Sequence, residues 1–292
     1  MSEPKKHHFV PRWYLQRFVD AKGYLNVYDR ETETFRTQKP EKVMAINNYY
    51  RQLWAPVGID PNVLEKSLGN TLENDAKSAI NLLLSAPATL DDQHVADILS
   101  FLELQRIRVP RQAAHAMELM RKTIFRNAPS DVQNAVLTGS LQIAVKDAFR
   151  FDYMRMLVGS LNWWFGRMRW EVIEAGHGAT FVTTDSPVSF FNVDFVPPAE
   201  AGIALAGTMV FYPLDSRHLL IMRHPEYFSK KVEASKLLPD PETKDGHIEV
   251  TSGAVWTVEQ VNRVNWTMWQ LSGRIVVSPT RENLEKCLEP NK

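Results

Sequence analysis

The side chains best suited to chemistry in this chain are His7, His8, Glu65, Glu73, Arg108 and Asp185. A histidine can act as general base, metal ligand or neutral hydrogen-bonded core residue. His7 and His8 are adjacent, so on an extended backbone they face opposite ways: one inward, one outward. Glu65 and Glu73 stand eight positions apart. On a helix that is about 80° of rotation, which puts them broadly on one side. Arg108 comes three residues after Gln105 and shares a helical face with it; its forked guanidinium suits phosphate. Asp185 lies in a turn at a strand end, a common place for site residues.

Taken as one site, His7, His8, Arg108 and Asp185 would be catalytic, and Glu65, Glu73 and Asp185 would ligate a divalent metal. Those are the parts of a metal-assisted phosphodiesterase or nuclease acting on nucleic acid or nucleotides. Every part also has a structural reading. The histidines could anchor an N-terminal strand, with Pro11, Trp13, Tyr14, Leu15 and Phe18 as core. Asp185, before Ser186-Pro187, could close its strand with an Asx turn. Glu65 and Glu73 could be solvated helix charges, and Arg108 an ion-pair partner at a helix break. Two function classes therefore stand side by side: an enzyme, and a non-catalytic binding or interaction module in which "HHFVP" is structural.

Other chemistries fit less well. A ββα-metal nuclease also pairs histidines with a proline, but there the hairpin precedes the helix; here "RWYLQRF" precedes the hairpin. No G-x-S-x-G elbow is present. No G-x-G-x-x-G or Walker-type loop is present either, which argues against dinucleotide-binding and P-loop folds. Cys287 is the single cysteine, so an intrachain disulfide is impossible and the cytoplasm is the expected compartment. Nothing approaches the roughly 18 apolar residues of a membrane span, so no membrane role is expected. Lys+Arg and Asp+Glu balance at 34 each, so no global field draws the chain to nucleic acid. Locally, Arg106, Arg108, Arg111, Arg121, Lys122 and Arg126 face only Glu118, either an anionic-partner surface or a solvated helix face. Of the tryptophans, Trp163, Trp164, Trp170, Trp256, Trp266 and Trp269 read as packing residues more readily than as stacking platforms.

The elements that must position these residues follow from the pattern. "GYLNVYDRETETFRTQ" alternates Leu25, Val27 and Phe35 with polar residues around a turn, a β-hairpin. "DPNVLEKSLGNTLENDAKSAINLLL" has Asp60 as cap, Pro61 in the first turn and one apolar stripe, a helix. A second helix over "DDQHVADILSFLELQRIRVPRQAAHAMELMRKTIF" breaks at Pro110. A third starts with Ser130 as N-cap and continues to about Val158. "LNWWFGRMRWEVIEA", "ATFVTTDSPVSFF" and "GTMVFYPLDSRHLLIMR" have strand texture. The segment 230–249 reads as a surface loop. "TVEQVNRVNWTMWQLSG" is a helix closed by Gly273, "RIVVSP" a final strand, and "TRENLEKCL" a helix capped by Thr280.

Several of these segments also match a known signature. "HHFVPRWYLQRF" resembles the H-H-x-V-P-x-x-Y-L-x-x-F opening of a bacterial family, domain of unknown function 4238. "ILSFLELQRIRVP" is similar to its helix ending in Gln, Arg and Pro. "FVTTDSPV" is similar to its strand-end motif, with Thr184 and Ser186 in place of serine and asparagine. "FYPLDSRHLLI" and "VNRVNWTMWQLSGRIVVSP" resemble its closing segments. The resemblance spans nearly the whole chain and implies one module without an assigned activity.

The expectation is one α+β domain over 1–292. It comprises an N-terminal motif and hairpin (1–56), a bundle of three or four helices (57–160) and a mainly antiparallel sheet-rich part (161–292). The opening motif should be buried where these parts meet, a common place for pockets. If it forms a site, His7 or His8, Arg108 and Asp185 should converge there.

Overall fold

The structure is a computed structural model that describes residues 6–51, 58, 72–146, 148–229, 232–239 and 248–289. Strand β1 (Lys6–His8) leads through the short helix Arg12–Leu15 into the hairpin β2 (Leu25–Asp29) and β3 (Thr34–Gln38). Strand β4 (Ala45–Asn47) then returns antiparallel to β1, setting His7 opposite Ile46. Helices Glu73–Ser85, Asp92–Ile107, Pro110–Asn127, Ser130–Leu137, Phe149–Leu157 and Ser160–Phe165 follow. The last part holds β5 (Arg169–Ala175), β6 (Thr183–Thr184), β7 (Ser189–Phe191), β8 (Met209–Pro213), β9 (His218–Arg223), β10 (Val250–Trp256) and β11 (Ile275–Ser278). Helix Val258–Gln270 precedes β11, and helix Arg281–Leu288 follows it. The α+β class read from the sequence is what the fold has.

The strands form two larger sheets, in the orders β10-β5-β9-β8-β7 and β3-β2-β11-β6. All their pairings are antiparallel except β10 with β5. The N-terminal hairpin is therefore not a separate body: β11, from the far end of the chain, is its third strand. Alternation along β2 explains the placement. Leu25 and Val27 are buried in the larger core, while Tyr28 packs edge-on against Trp269 in a second cluster on the other face. With one face buried and the other half-covered, β2 is an interior strand, paired with β3 on one edge and β11 on the other.

The opening motif sits inside the larger core. Val10, Tyr14, Leu15 and Phe18 are fully buried, and Trp13 meets Phe101 at 5.5 Å. Tyr14 stacks on Tyr212 with centroids 5.3 Å apart. Its hydroxyl donates to the Pro213 carbonyl at 2.8 Å and, at 2.8 Å, shares a hydrogen bond with Thr183 Oγ1. One phenol thus bonds a strand of each sheet.

Several sequence expectations change. The helical pattern after Ser130 stops at Leu137, where Gly139 takes φ +77°, and resumes only at Phe149. Ser130 is the first helical residue, not the cap; Pro129 holds that position. Trp163 and Trp164, read as strand, lie in the Ser160–Phe165 helix, and β5 begins only at Arg169. Residues 232–239, expected as surface loop, pair by backbone with 204–207 and bury Ala234 and Leu238. A Cβ at Gly207 would stand 2.4 Å from that of Ala234, so only glycine permits the approach. The Asp60-Pro61 helix start lies outside the described residues. The break at Pro110 and the Thr280 cap are as expected.

Replacing Tyr14 with phenylalanine keeps the ring stack but strands the Pro213 carbonyl and the Thr183 hydroxyl in the core. The expected loss is about 1–3 kcal/mol, read as a lower urea midpoint at unchanged slope.

Candidate functional site

Helix Asp92–Ile107 ends in a run, Phe101 to Ile107, in which every residue is buried. Buried polar groups must find partners, and this run finds them in four directions. Glu103 accepts the amides of Gly159 (2.8 Å) and Leu161 (2.7 Å), capping the Ser160–Phe165 helix. Gln105 donates to the Phe9 carbonyl at 3.0 Å. Arg106 grips Glu200 with both terminal nitrogens, at 3.0 and 2.6 Å, and also donates to the Val188 carbonyl. Arg108, just past the helix, donates to Gln105 Oε1 and to Glu73 Oε1, the latter at 2.9 Å.

The histidine pair divides as alternation requires. His7 is 1% exposed; its Nδ1 accepts the Tyr50 amide at 2.9 Å, and its ring stacks on that of Tyr50. His8 is half-buried, and burial lowers its pKa against the opposing pull of the Pro40 carbonyl and the Glu73 charge. Its Nε2 is buried and has no hydrogen-bond partner among the described residues. His8, Glu73, Gln105 and Arg108 therefore form one neighbourhood, joined through Phe9. Glu73 is not the solvated charge of the structural reading, because Arg108 pairs with it. Arg108 itself is 1% exposed and engaged along its fork, so it positions Glu73 and Gln105 and does not present itself to a phosphate. Glu65 lies outside the described residues.

Asp185 has different company. Its Oδ1 accepts the amide of Gly273 (2.9 Å), and its Oδ2 those of Arg274 (2.7 Å) and Ile275 (3.1 Å). This is a long-range clamp on the turn before β11, not the local Asx turn expected. Burial raises its pKa against those three amides, and Arg111 is the leading nearby charge. Its hydrogen bonds go to residues 273–275, none of which belongs to the His8 neighbourhood. A Cβ at Gly273 would sit 3.0 Å from Asp185 Oδ2, so this glycine serves the clamp; the helix before it closes at Leu271. Asp29, fully buried at the end of β2, holds the same turn from the other side through Arg274 at 2.7 and 2.8 Å. Among the described residues, no group of three or more His, Cys, Asp or Glu is arranged to hold a metal ion.

Sequence reasoning passed over Glu103, Glu200 and Asp29, and placed Arg106 only in a basic stretch read as a partner surface or a solvated helix face. For the helix-end residues the available signal was "ELQRIR" itself, a polar-rich run directly after the buried Ile98, Phe101 and Leu102. The basic stretch resolves into separate roles: Arg106 and Arg108 are buried, while Arg121 and Lys122 reach back to Glu118 at the surface. Cys287 is buried, and its thiol pKa is raised by desolvation, which keeps it inert.

A model of the family described as "Protein of unknown function (DUF4238)" matches residues 6–282, which include the histidine pair, the buried helix end and the Asp185 turn. No curated protein and no solved structure matches the chain. No helix among the described residues is long and apolar enough to cross a membrane.

The Asp29 clamp has a pH signature. Hydrogen bonds from Arg274, and then from Arg36, hold its carboxyl at about 2, below the 3.8 of a free aspartate. Between those values the unfolded chain binds more protons than the folded one, so stability falls with acidification. Asp29→Asn should be less stable at pH 6 and should lose less on descent from pH 5 to 2. Melting curves across that range check both.

Proposed function

Because the chain belongs to the DUF4238 family over residues 6–282, we propose a function for the family's shared motifs in this chain: they build a binding or interaction module, and "HHFVP" is structural. The observation that carries this reading is where the motif's polar groups go. His7 accepts a backbone amide, the Phe9 carbonyl receives Gln105, Arg108 holds Gln105 and Glu73, and Asp185 closes the turn before β11. Side chains committed to backbone and to one another specify a fold and are poorly placed to leave it for a substrate.

One observation favours a second reading. His8 is a half-buried imidazole whose pKa burial lowers, with a buried Nε2 that has no partner among the described residues and with the Glu73 charge acting on it. A ring held this way can accept a proton or ligate a divalent cation. On this reading the chain is a metal-assisted phosphodiesterase or nuclease acting on nucleic acid or nucleotides. His8 is then the acid–base group, Glu73 and Glu65 are carboxylates for the cation, and His7 and Arg108 position the site, while Asp185, expected as catalytic and metal-binding, stays in its clamp on the turn before β11.

His7→Ala and His8→Ala separate the two. Under the structural reading, His7→Ala loses about 2–4 kcal/mol, because it empties a core position and orphans the Tyr50 amide. His8→Ala stays within about 1 kcal/mol of wild type. Divalent metals then shift none of the three melting temperatures, and none of the three proteins cleaves a DNA, RNA or cyclic-nucleotide panel. Metal-dependent stabilisation or cleavage by wild type that His8→Ala loses would overturn the structural reading in favour of the second.

A further inference from the structure

We propose that His224 is the proton-sensitive latch of a strap over Trp164: the strap, residues 202–207 paired with 234–238, is fastened while the imidazole is neutral and loosens when the ring takes a proton. The device is independent of both readings of the opening motif and holds under either.

The strap is built from backbone. The amides of Ala206 and Gly207 donate to the carbonyls of Lys236 and Ala234 at 2.8 and 2.9 Å, and the Leu238 amide donates to the Ala204 carbonyl at 2.8 Å. Its inner side chains, Ala206 and Leu238, pack on Trp164 in a cluster of their own, joined by Ile203 and Tyr227. This cluster is far smaller than the two main cores, so the polar ties to the body matter more here than elsewhere. Asn192 donates to the Ala234 carbonyl at 2.8 Å, and Arg167 to the Pro239 carbonyl at 3.0 Å. A third tie is His224 Nε2, 2.8 Å from the Ile203 carbonyl oxygen. Of these three ties, only the histidine can change charge near neutral pH.

His224 is fully buried just past the end of β9, with its ring edge-on to Trp164 at 5.8 Å. A carbonyl oxygen only accepts, so Nε2 carries the hydrogen of the neutral ring and Nδ1 the lone pair. That Nδ1 is buried and has no hydrogen-bond partner among the described residues. Protonation would put a second N–H and a full positive charge there, with no partner in place. The charged and titratable groups around the ring are Glu226 and Tyr227 on the following helix, Arg167 after the Ser160–Phe165 helix, and Arg223 on β9, which is paired with Glu171. The strap brings only Glu233 and Lys236, both exposed. Burial leads in lowering the His224 pKa from 6.5, and Arg167 adds to it, against the opposing pull of the Ile203 carbonyl and of Glu226. Glu226 is itself held by Arg167 at 2.7 Å. A ring that leaves this setting returns toward 6.5. Between the two values the open form binds more protons, so closure weakens as pH falls through that window.

Amide hydrogen exchange on the full chain from about pH 7.5 to pH 5, corrected for the intrinsic rate at each pH, tests the latch. Protection at Ala206, Gly207 and Leu238 should fall below pH 6.5 by up to about tenfold per pH unit, while amides paired between β8 and β9 keep theirs. His224→Gln retains a side-chain N–H for the Ile203 carbonyl but cannot titrate, so its strap protection should stay constant over the range. The other histidines are common to both proteins, so the difference between them belongs to His224. The ring's own titration, followed by NMR in wild type, supplies a reading that does not depend on the variant's folding. Its midpoint should lie below 6.5 and coincide with the change at the strap amides. Flat strap protection in wild type, equal pH dependence in wild type and His224→Gln, or a ring that titrates at 6.5 or above overturns the latch.

Discussion

Burying the last two turns of one helix on every side imposes a requirement that the surrounding fold has to meet. Glu103, Gln105 and Arg106 lie within those turns and Arg108 just beyond them; each would be costly to bury alone. Each reaches a different segment: the start of a later helix, the N-terminal motif, the acidic residue after β7, and the helix before. The helix end thus acts as a hub of directional bonds set within otherwise apolar packing. Hydrophobic contacts tolerate sliding; hydrogen bonds to named atoms do not. What the hub adds to the burial of Phe101 and Ile98 is a single permitted arrangement of its neighbours.

A second set of buried acids performs a related task at the other end of the molecule. Asp29 and Asp185 approach residues 273–275 from opposite sides, one through the Arg274 side chain and one through backbone amides. Between them they fix where β11 enters the four-stranded sheet. Asn265 does the equivalent for the approach to β6, accepting the Val182 amide and donating to the Thr180 carbonyl. In each case a side chain supplies the partner that an irregular backbone stretch lacks. The polar residues of this chain that look most reactive are largely occupied in that way.

The hairpin, the amphipathic helices and the α+β class were legible in the sequence, because periodicity and turn residues are local signals. The burial of "HHFVPRWYLQRF" was legible too, from the density of aromatics. The partnerships were not. Nothing near Asp185 indicates that its acceptors serve amides ninety positions later, so a local Asx turn was the natural expectation. Arg108 looked equally suited to phosphate or to an ion pair, and only the packing of Glu73 and Gln105 against it decided. The helix after Ser130 was overextended because its apolar spacing continues past Gly139, where the backbone turns left-handed. Pattern reads faces; it does not read which faces meet.

The arrangement of the four-stranded sheet has a kinetic corollary. The hairpin β2–β3 leaves the ribosome early, but its third strand is β11, and the bond between Asp29 and Arg274 joins residues 245 positions apart. Tyr14 likewise waits for Thr183 and Pro213. Loop closure over such spans is slow, and long-range strand pairing slows folding further. During synthesis Tyr14 therefore lacks its final partners until β6 and β8 have emerged, and β2 lacks its second neighbour until β11 has. For that interval the chain is a natural client for chaperones, and a truncation that removes β11 leaves the hairpin with an open, aggregation-prone edge.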